Sequence, residues 1–409
     1  DLIQKGRYLR GEYNFAWASS FISGSSATNQ ELKAGDTNYP DGLRRFYITS
    51  SMISGFNGVN HYMFVNRDHW YGAPLANDGT IASGYEVVKN FNNAIIEAKL
   101  NKLERSPEIC VIGNRFYQWM RLLNQPKQFT YMESLLQDSL GGFCRDLLRL
   151  KCDYDIKETI NPDQLKKYKL VVIPSAEFMA ADQQEAIIEL LKKGINVIMC
   201  GLMPKYDDEF KDCQILSRHM RIKTTLGQSI DIIKLAKGGQ FTSTIYGNIL
   251  ATDNKIKRLA TANKKVMGVA SSRYSGTLSF FTFNIGSNSD HNKLVFLESL
   301  IGENKIVSHI YCSDPSIDMS VQQVGKKAVL FLVAPPAGEL SAVADTSSRE
   351  IIVRVNLRKF GIASARIKIT DLMAGEEAEP LKITAESLRK GIPLMVDFPD
   401  GHIYLIEKR

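Results

Sequence analysis

The chain has 409 residues, 44% hydrophobic and 23% charged, a composition that argues against intrinsic disorder and leaves room for two or three domains. Its formal charge of +7 is scattered over pairs such as Lys192-Lys193 and Lys264-Lys265, with no basic tract, so nucleic acid is not an expected partner. No apolar run approaches the roughly 18 to 20 residues that span a bilayer, and DLIQKGRY is not a charged start with an apolar signal core, so no membrane partner is expected.

The sequence starts on Asp1 without an initiator Met and so reads as one from which something upstream was removed or never included. From residue 1 to 104 it reads as strand (YNFAWASSF), loop, helix (GLRRFYITSSMISG), strand (VNHYMFV), polar loop, helix (YEVVKNFNNAIIEAKLNKLE). That order is the βα grammar of parallel sheets and barrels, but two such units cannot close a barrel of eight.

From 105 to 308, PEICVIG is followed by a predicted helix near 131 to 150. Met132, Leu135, Leu136, Leu140, Phe143, Leu147 and Leu148 recur there at helical spacing. YKLVVIPS, the helix DQQEAIIELLKKG and INVIMCG come next, with Gly194 where a helix C-cap belongs. Apolar strands alternating with amphipathic helices predict a doubly wound, flavodoxin-like domain. The stretch 237–285 reads as β-rich, and HNKLVFLESLIG as a last helix.

From 309 to 409, KKAVLFLVAP, REIIVRVNL, ARIKITDL and HIYLIEK alternate with turns that include Pro399-Asp400-Gly401. Period-two patterning without a strong helix signal predicts a small antiparallel β-sandwich. The predicted fold is therefore α/β and multidomain, with linkers near Arg105-Ser106-Pro107 and Asp314-Pro315.

Six cysteines, at 110, 144, 152, 200, 213 and 312, form no CxxC pair and read as reduced core thiols, compatible with a cytoplasmic or a periplasmic location. Cys200 in IMCGLMP stands where a nucleophile elbow could, but Ile198 replaces the Gly such an elbow needs. A buried core thiol is the simpler reading. No Gly-x-Gly-x-x-Gly follows EICVIG, and the six His are too dispersed for a local zinc motif, so neither a cofactor nor a metal is implied.

The run GVNHYMFVNRDHWYGAPLANDG, residues 58 to 79, carries an apolar strand into a cluster of Asn, Arg, Asp, His, Trp and Tyr. It resembles the eighth strand and following loop of β-galactosidase barrels of glycoside hydrolase families 35 and 42. Asn60, Tyr62, Met63 and Phe64 match the strand; Ala73, Pro74, Leu75 and Gly79 match the end of the loop. Gly72 departs from the Asp expected there. The run KYKLVVIPSAEFMAADQQEAIIELLKKGINVIMCG also resembles the family 42 domain that follows the barrel and mediates trimerisation.

The resemblance implies the last units of a TIM barrel over 1–104, a flavodoxin-like domain over 105–308 and a β-sandwich over 309–409. It implies a homo-oligomer, a trimer by that likeness, acting on a terminal galactoside or other oligosaccharide. Asn60, Tyr62, Phe64, Asn66 and Trp70 are the expected subsite, since barrel ligands are met at the C-terminal ends of strands.

Retaining glycosidases need two carboxyl groups about 5 to 5.5 Å apart. On this alignment the strand-four Glu belongs upstream of residue 1, in a missing N-terminal half or a companion chain. The nucleophile position falls on Ser20, and no Asp or Glu lies between Glu12 and Glu31. Three readings stay open: a lost nucleophile in a barrel that still binds sugar, service by Glu12 or Glu31, or carboxylates placed elsewhere. A non-catalytic carbohydrate-binding or assembly protein is the competing functional class.

Overall fold

The structure, a computed structural model, describes residues 2–13, 15–22, 25–26, 40–67, 70–82, 84–122, 130–251, 253, 256–287, 290–336, 347–362, 364–375 and 378–409. It divides into two compact units, Asp1–Ser106 with Ser308–Arg409, and Pro107–Val307.

The first unit opens with α1 (Leu2–Glu12), β1 (Trp17–Ile22), β2 (Ser25–Ser26), α2 (Asp41–Ser54), β3 (Gly58–Tyr62), β4 (Trp70–Tyr71) and α3 (Tyr85–Glu97). β1 and β3 pair in parallel, with α2 between them in the chain. In α2, Asp41 sits in the first turn where the helix dipole favours an anion, Ile48, Met52 and Ile53 share the buried face, and Gly55 (φ 106) ends the helix. The helix α1 is not legible as an amphipathic pattern, because Gly6 and Gly11 dilute it. Packing overrides propensity here: a Cβ on Gly6 would lie 2.4 Å from that of Ser54.

The second unit holds β5 (Ile109–Ile112), α4 (Arg115–Leu122), α5 (Tyr131–Glu133), α6 (Gly142–Arg149), β6 (Tyr154–Lys157), α7 (Pro162–Leu165), β7 (Leu170–Ser175) and α8 (Ala181–Lys192). It continues with β8 (Asn196–Gly201), α9 (Ile215–Met220), β9 (Ile222–Leu235), β10 (Gln240–Ala251), β11 (Lys257–Ala262), β12 (Lys265–Ser271), β13 (Leu278–Phe281) and α10 (His291–Glu303). All nine strands form one sheet in the order β10-β9-β11-β12-β13-β8-β7-β5-β6. The five parallel strands, numbered along the chain, stand in the order 2-1-3-4-5, which is that of doubly wound, flavodoxin-like sheets.

Alternate residues of these strands enter different cores. Val111, Val172 and Ile198 belong to one apolar cluster, while Cys110, Val171, Ile173 and Met199 belong to the other. Both faces are covered, which explains the unbroken apolar runs. The helix predicted near 131–150 forms, but its middle, Ser134–Gly141, is π-helical. There Ser139 Oγ accepts from Ile285 N at 3.0 Å. Gly194 (φ 84) caps α8 as its sequence position suggests.

The first unit resumes with β14 (Ile310–Cys312), β15 (Asp318–Val324), β16 (Lys327–Ala334), β17 (Ser347–Val355), β18 (Arg366–Asp371), β19 (Leu381–Thr384), α11 (Ala385–Lys390), β20 (Ile392–Phe398) and β21 (Asp400–Lys408). Two antiparallel sheets result, β14-β17-β20 and β15-β16-β21-β18-β19, and residues of both share one apolar cluster. One expectation fails in detail: the stretch does hold a helix, α11, whose start is capped by Thr384 Oγ1 accepting from Ser387 N at 3.0 Å. The turn at Pro399-Asp400-Gly401 is the corner where the chain leaves one sheet for the other.

The faces of α2 and α3 cover the other side of β16 and β21, where Ile48, Met52 and Phe91 meet Phe331, Val333 and Ile403. Among the described residues no helix is long and apolar enough to cross a membrane.

Candidate functional site

Alternation along β3 separates two kinds of residue. Val59 and His61 turn to the helices, where His61 meets Phe91 edge-on at 6.2 Å. Burial holds the His61 pKa below its ordinary value, outweighing a hydrogen bond with Asn92 that favours the charged ring. Gly58, Asn60 and Tyr62 take the opposite face, with the Trp17 ring lying against Gly58 and with Asn60 and Tyr62 exposed. The strand expected to run through Val65 stops at Tyr62, because Met63 adopts a left-handed φ of 61°. That reversal sends Phe64 to the helix side, 6.2 Å from His61.

The loop after β3 is a tied structure. Asn66 donates its backbone N–H to Leu75 O at 2.8 Å, and its side-chain Oδ1 accepts from Ala73 N at 2.8 Å. Arg67 and Trp70 exchange backbone hydrogen bonds, and Asp68 and His69 lie outside the described residues. Trp70-Tyr71 then pairs with Ser25-Ser26, the segment that follows β1. From beneath, the buried Arg44 of α2 donates Nη2 to Gly72 O. Arg44 escaped sequence reasoning, since nothing in GLRRFY marks one arginine as buried.

Trp70 is thereby set against Tyr62, with ring centroids 6.4 Å apart and planes at 85°. Of the predicted subsite residues, Tyr62 and Trp70 meet, and Asn60 shares the Tyr62 face two residues earlier. Phe64 is half-buried and packs against the core beneath, and Asn66 holds the loop. Ser20 lies on β1 between the registered positions Ala18 and Phe21, and its side chain lies outside the described residues.

Chemistry in the second unit would be expected at the switch point beyond the C-terminal ends of β5 and β7. Two tyrosines occupy that crevice. Tyr117 donates its hydroxyl to Phe178 O at 2.6 Å and accepts from Ala176 N at 3.1 Å; Tyr131 accepts from Glu177 N at 3.3 Å. The amides that would grip a phosphate already hold phenols. Cys200 is fully buried, and burial pushes its thiol up to about 12, so it offers no thiolate nucleophile.

Lys293, also buried, donates to Ser243 Oγ at 3.0 Å, and burial pulls its pKa down to about 8 against the charge of Asp146. Asp146 accepts from Ser287 N at 2.6 Å. With both charges enclosed, this set braces the core and offers no surface to a ligand. Among the described residues, no three His, Cys, Asp or Glu are grouped to hold a metal.

Residues 119–249 match the family model described as GLMA-like, second domain. The β-1,2-glucosyltransferase of Ignavibacterium album is 25% identical over 348 residues, covering 78% of this chain and 47% of its own length. The exo-β-D-glucosaminidase of Thermococcus kodakarensis is 22% identical over 194 residues, 43% of this chain and 24% of its own. The chain thus spans about half or less of the curated relatives it matches. A catalytic variant of a family 42 β-galactosidase from G. stearothermophilus superposes with a TM-score of 0.73 at 11% identity, over 100% of this chain and 56% of its own. Along its whole length the chain therefore has an α/β fold similar to that of the family 42 β-galactosidases, and it resembles the β-galactosidase-like glycoside hydrolases.

Proposed function

We propose that the whole protein is a retaining glycoside hydrolase of the β-galactosidase type acting on terminal β-galactosides. In this reading residues 1–104 are the last units of a TIM barrel, 105–308 a flavodoxin-like domain of the trimerising kind and 309–409 a β-sandwich. The six other barrel units come from outside these residues. The observation that carries the reading is the perpendicular Tyr62–Trp70 pair at the C-terminal end of β3. An aromatic face there covers the C–H face of a pyranose while polar groups such as Asn60 sort its hydroxyls. Tyr62 and Trp70 bind and orient the sugar. The acid/base Glu lies outside this chain.

A second reading is favoured by a specific feature, the lack of any Asp or Glu between Glu12 and Glu31. A serine at the nucleophile position has no carboxylate with which to form the glycosyl ester and gives no charge to an oxocarbenium-like transition state. The protein would then bind sugar without hydrolysing it.

The test uses the full-length protein and its Ser20→Glu variant with p-nitrophenyl β-D-galactoside, β-D-glucoside and β-D-glucosaminide. Turnover by the unaltered protein, or gained in Ser20→Glu, supports the hydrolase and identifies the sugar. Saturable binding with no turnover in either supports the second reading. Neither binding nor turnover with any of the three overturns both.

A further inference from the structure

Arg44 stands where physical chemistry gives an arginine little reason to be. It lies in the first turn of α2, whose dipole disfavours a cation, and it is 2% exposed, so the guanidinium has given up most of its water. Asp41, three residues earlier, offsets part of this cost with Oδ1 3.6 Å from Arg44 Nε, but that carboxylate is itself half exposed.

The side chain runs beneath the chain that joins β3 to α3 and meets it twice. Nη2 donates to Gly72 O. The stem passes Gly84, the residue before α3, so closely that a Cβ there would lie 2.6 Å from Arg44 Cδ and closer still to Nε. Glycine is needed at 84 on two counts, the passage of Arg44 and a left-handed φ of 83°.

The segment that Arg44 holds is the one that carries Trp70. Trp70 exchanges backbone hydrogen bonds with Arg67, and Trp70-Tyr71 pairs with Ser25-Ser26. Gly72 follows directly, and Ala73 N after it is held by Asn66 Oδ1. The tie at Gly72 is charge-assisted, the stronger class of hydrogen bond, and it anchors the segment to a helix whose other face is packed in the core.

We infer that Arg44 is a positioning residue: by holding Gly72 O to α2 it fixes Trp70 perpendicular to Tyr62 and so sets the affinity of the sugar subsite. The inference rests on the proposed subsite and deepens it. Buried beneath the loop, Arg44 acts through Trp70 and not on the sugar itself.

The test uses the full-length protein labelled with 5-fluorotryptophan, in which Trp70→Phe and Trp119→Phe identify two fluorine resonances. Arg44→Met, which keeps the length and loses the donors, is expected to shift or broaden the Trp70 resonance and to leave that of Trp119, in the other unit, in place. Equilibrium dialysis against radiolabelled galactose, glucose and glucosamine is expected to show about fivefold weaker binding in Arg44→Met. Added to Trp70→Ala, the same substitution is expected to change affinity less than about twofold, because its effect passes through the ring already removed.

Arg44→Lys lacks the guanidinium fork and is expected to move both readouts in the same direction; it serves where methionine impairs folding. A role in stability alone would lower the unfolding midpoint and leave the Trp70 resonance and the affinity of the folded protein unchanged. That result, in every variant that folds, overturns the inference while sparing the subsite. A loss of affinity that persists in full on the Trp70→Ala background also overturns it, since Arg44 then acts elsewhere. No binding of any of the three sugars by the unaltered protein removes the subsite and the inference together.

Discussion

At the scale of single residues, the proposed sugar site and the stability of the protein depend on different side chains. Tyr62 and Trp70 meet edge to face, an arrangement worth about 0.5 to 1.5 kcal/mol beyond burial. Trp70→Ala is therefore expected to lower the thermal midpoint only slightly while weakening sugar binding about tenfold, or about 1.4 kcal/mol, as calorimetric titration of the full-length protein would read. His402, remote from that pair in sequence, is a stability group. Its Nδ1 lies 2.8 Å from Asp371 Oδ2, its Nε2 3.8 Å from Asp400 Oδ2, and its ring stacks on Tyr404. Burial opposes the imidazolium, but the hydrogen bond to Asp371 and the charges of Asp371 and Asp400 outweigh it and hold the pKa above the ordinary 6.5. The folded protein thus binds this proton more tightly than the unfolded chain does. The contribution is complete below pH 6.5 and is lost as pH rises through the raised folded value. Scanning calorimetry should show a midpoint that falls above pH 6.5 by more in the unaltered protein than in His402→Gln; equal slopes would contradict the assignment.

Among elements, the packing of α2 on β21 ties the helix before the site strand to the C-terminal sheets. Gly401 permits the approach, for a Cβ there would lie 2.3 Å from Arg45 O and 2.6 Å from Thr49 Oγ1. Gly401→Ala is expected to cost about 1 to 3 kcal/mol by overpacking, read from denaturant unfolding. Arg45 pairs with the buried Asp400 through two hydrogen bonds of 2.6 and 2.8 Å. Arg45→Ala leaves that carboxylate with only the Gly401 N–H and the more distant His402, and a loss of about 2 to 3 kcal/mol is expected, tempered by the partial exposure of Arg45. Elements with a clean period were legible in sequence: the strands ICVI, LVVIPS and NVIMCG, α8 with its Gly194 cap, and α2. The misses have physical reasons. α1 is carried by close packing through Gly6, α11 is too short for a period, and the end of β3 is set by the single backbone angle of Met63.

For the whole molecule, alternation of βα units followed by period-two strands made the α/β character readable before any coordinates. That Phe331, Val333 and Ile403 join the core beneath α2 and α3 was not readable, since nothing local in either stretch says which distant stretch it covers. The candidate site divides in the same way. Tyr62 and Trp70 stood out because aromatics after an apolar strand suit a barrel's ligand end. Arg44 and its hold on Gly72 depend on long-range contact, which residue types do not encode one by one. The central claim is that the Tyr62–Trp70 pair forms part of a sugar subsite. Equilibrium dialysis of the full-length protein against radiolabelled galactose, glucose and glucosamine, with Tyr62→Ala and Trp70→Ala beside the unaltered protein, tests it most directly. The account expects saturable binding of one sugar that both substitutions weaken about tenfold; equal binding by all three proteins, or none by any, would contradict it.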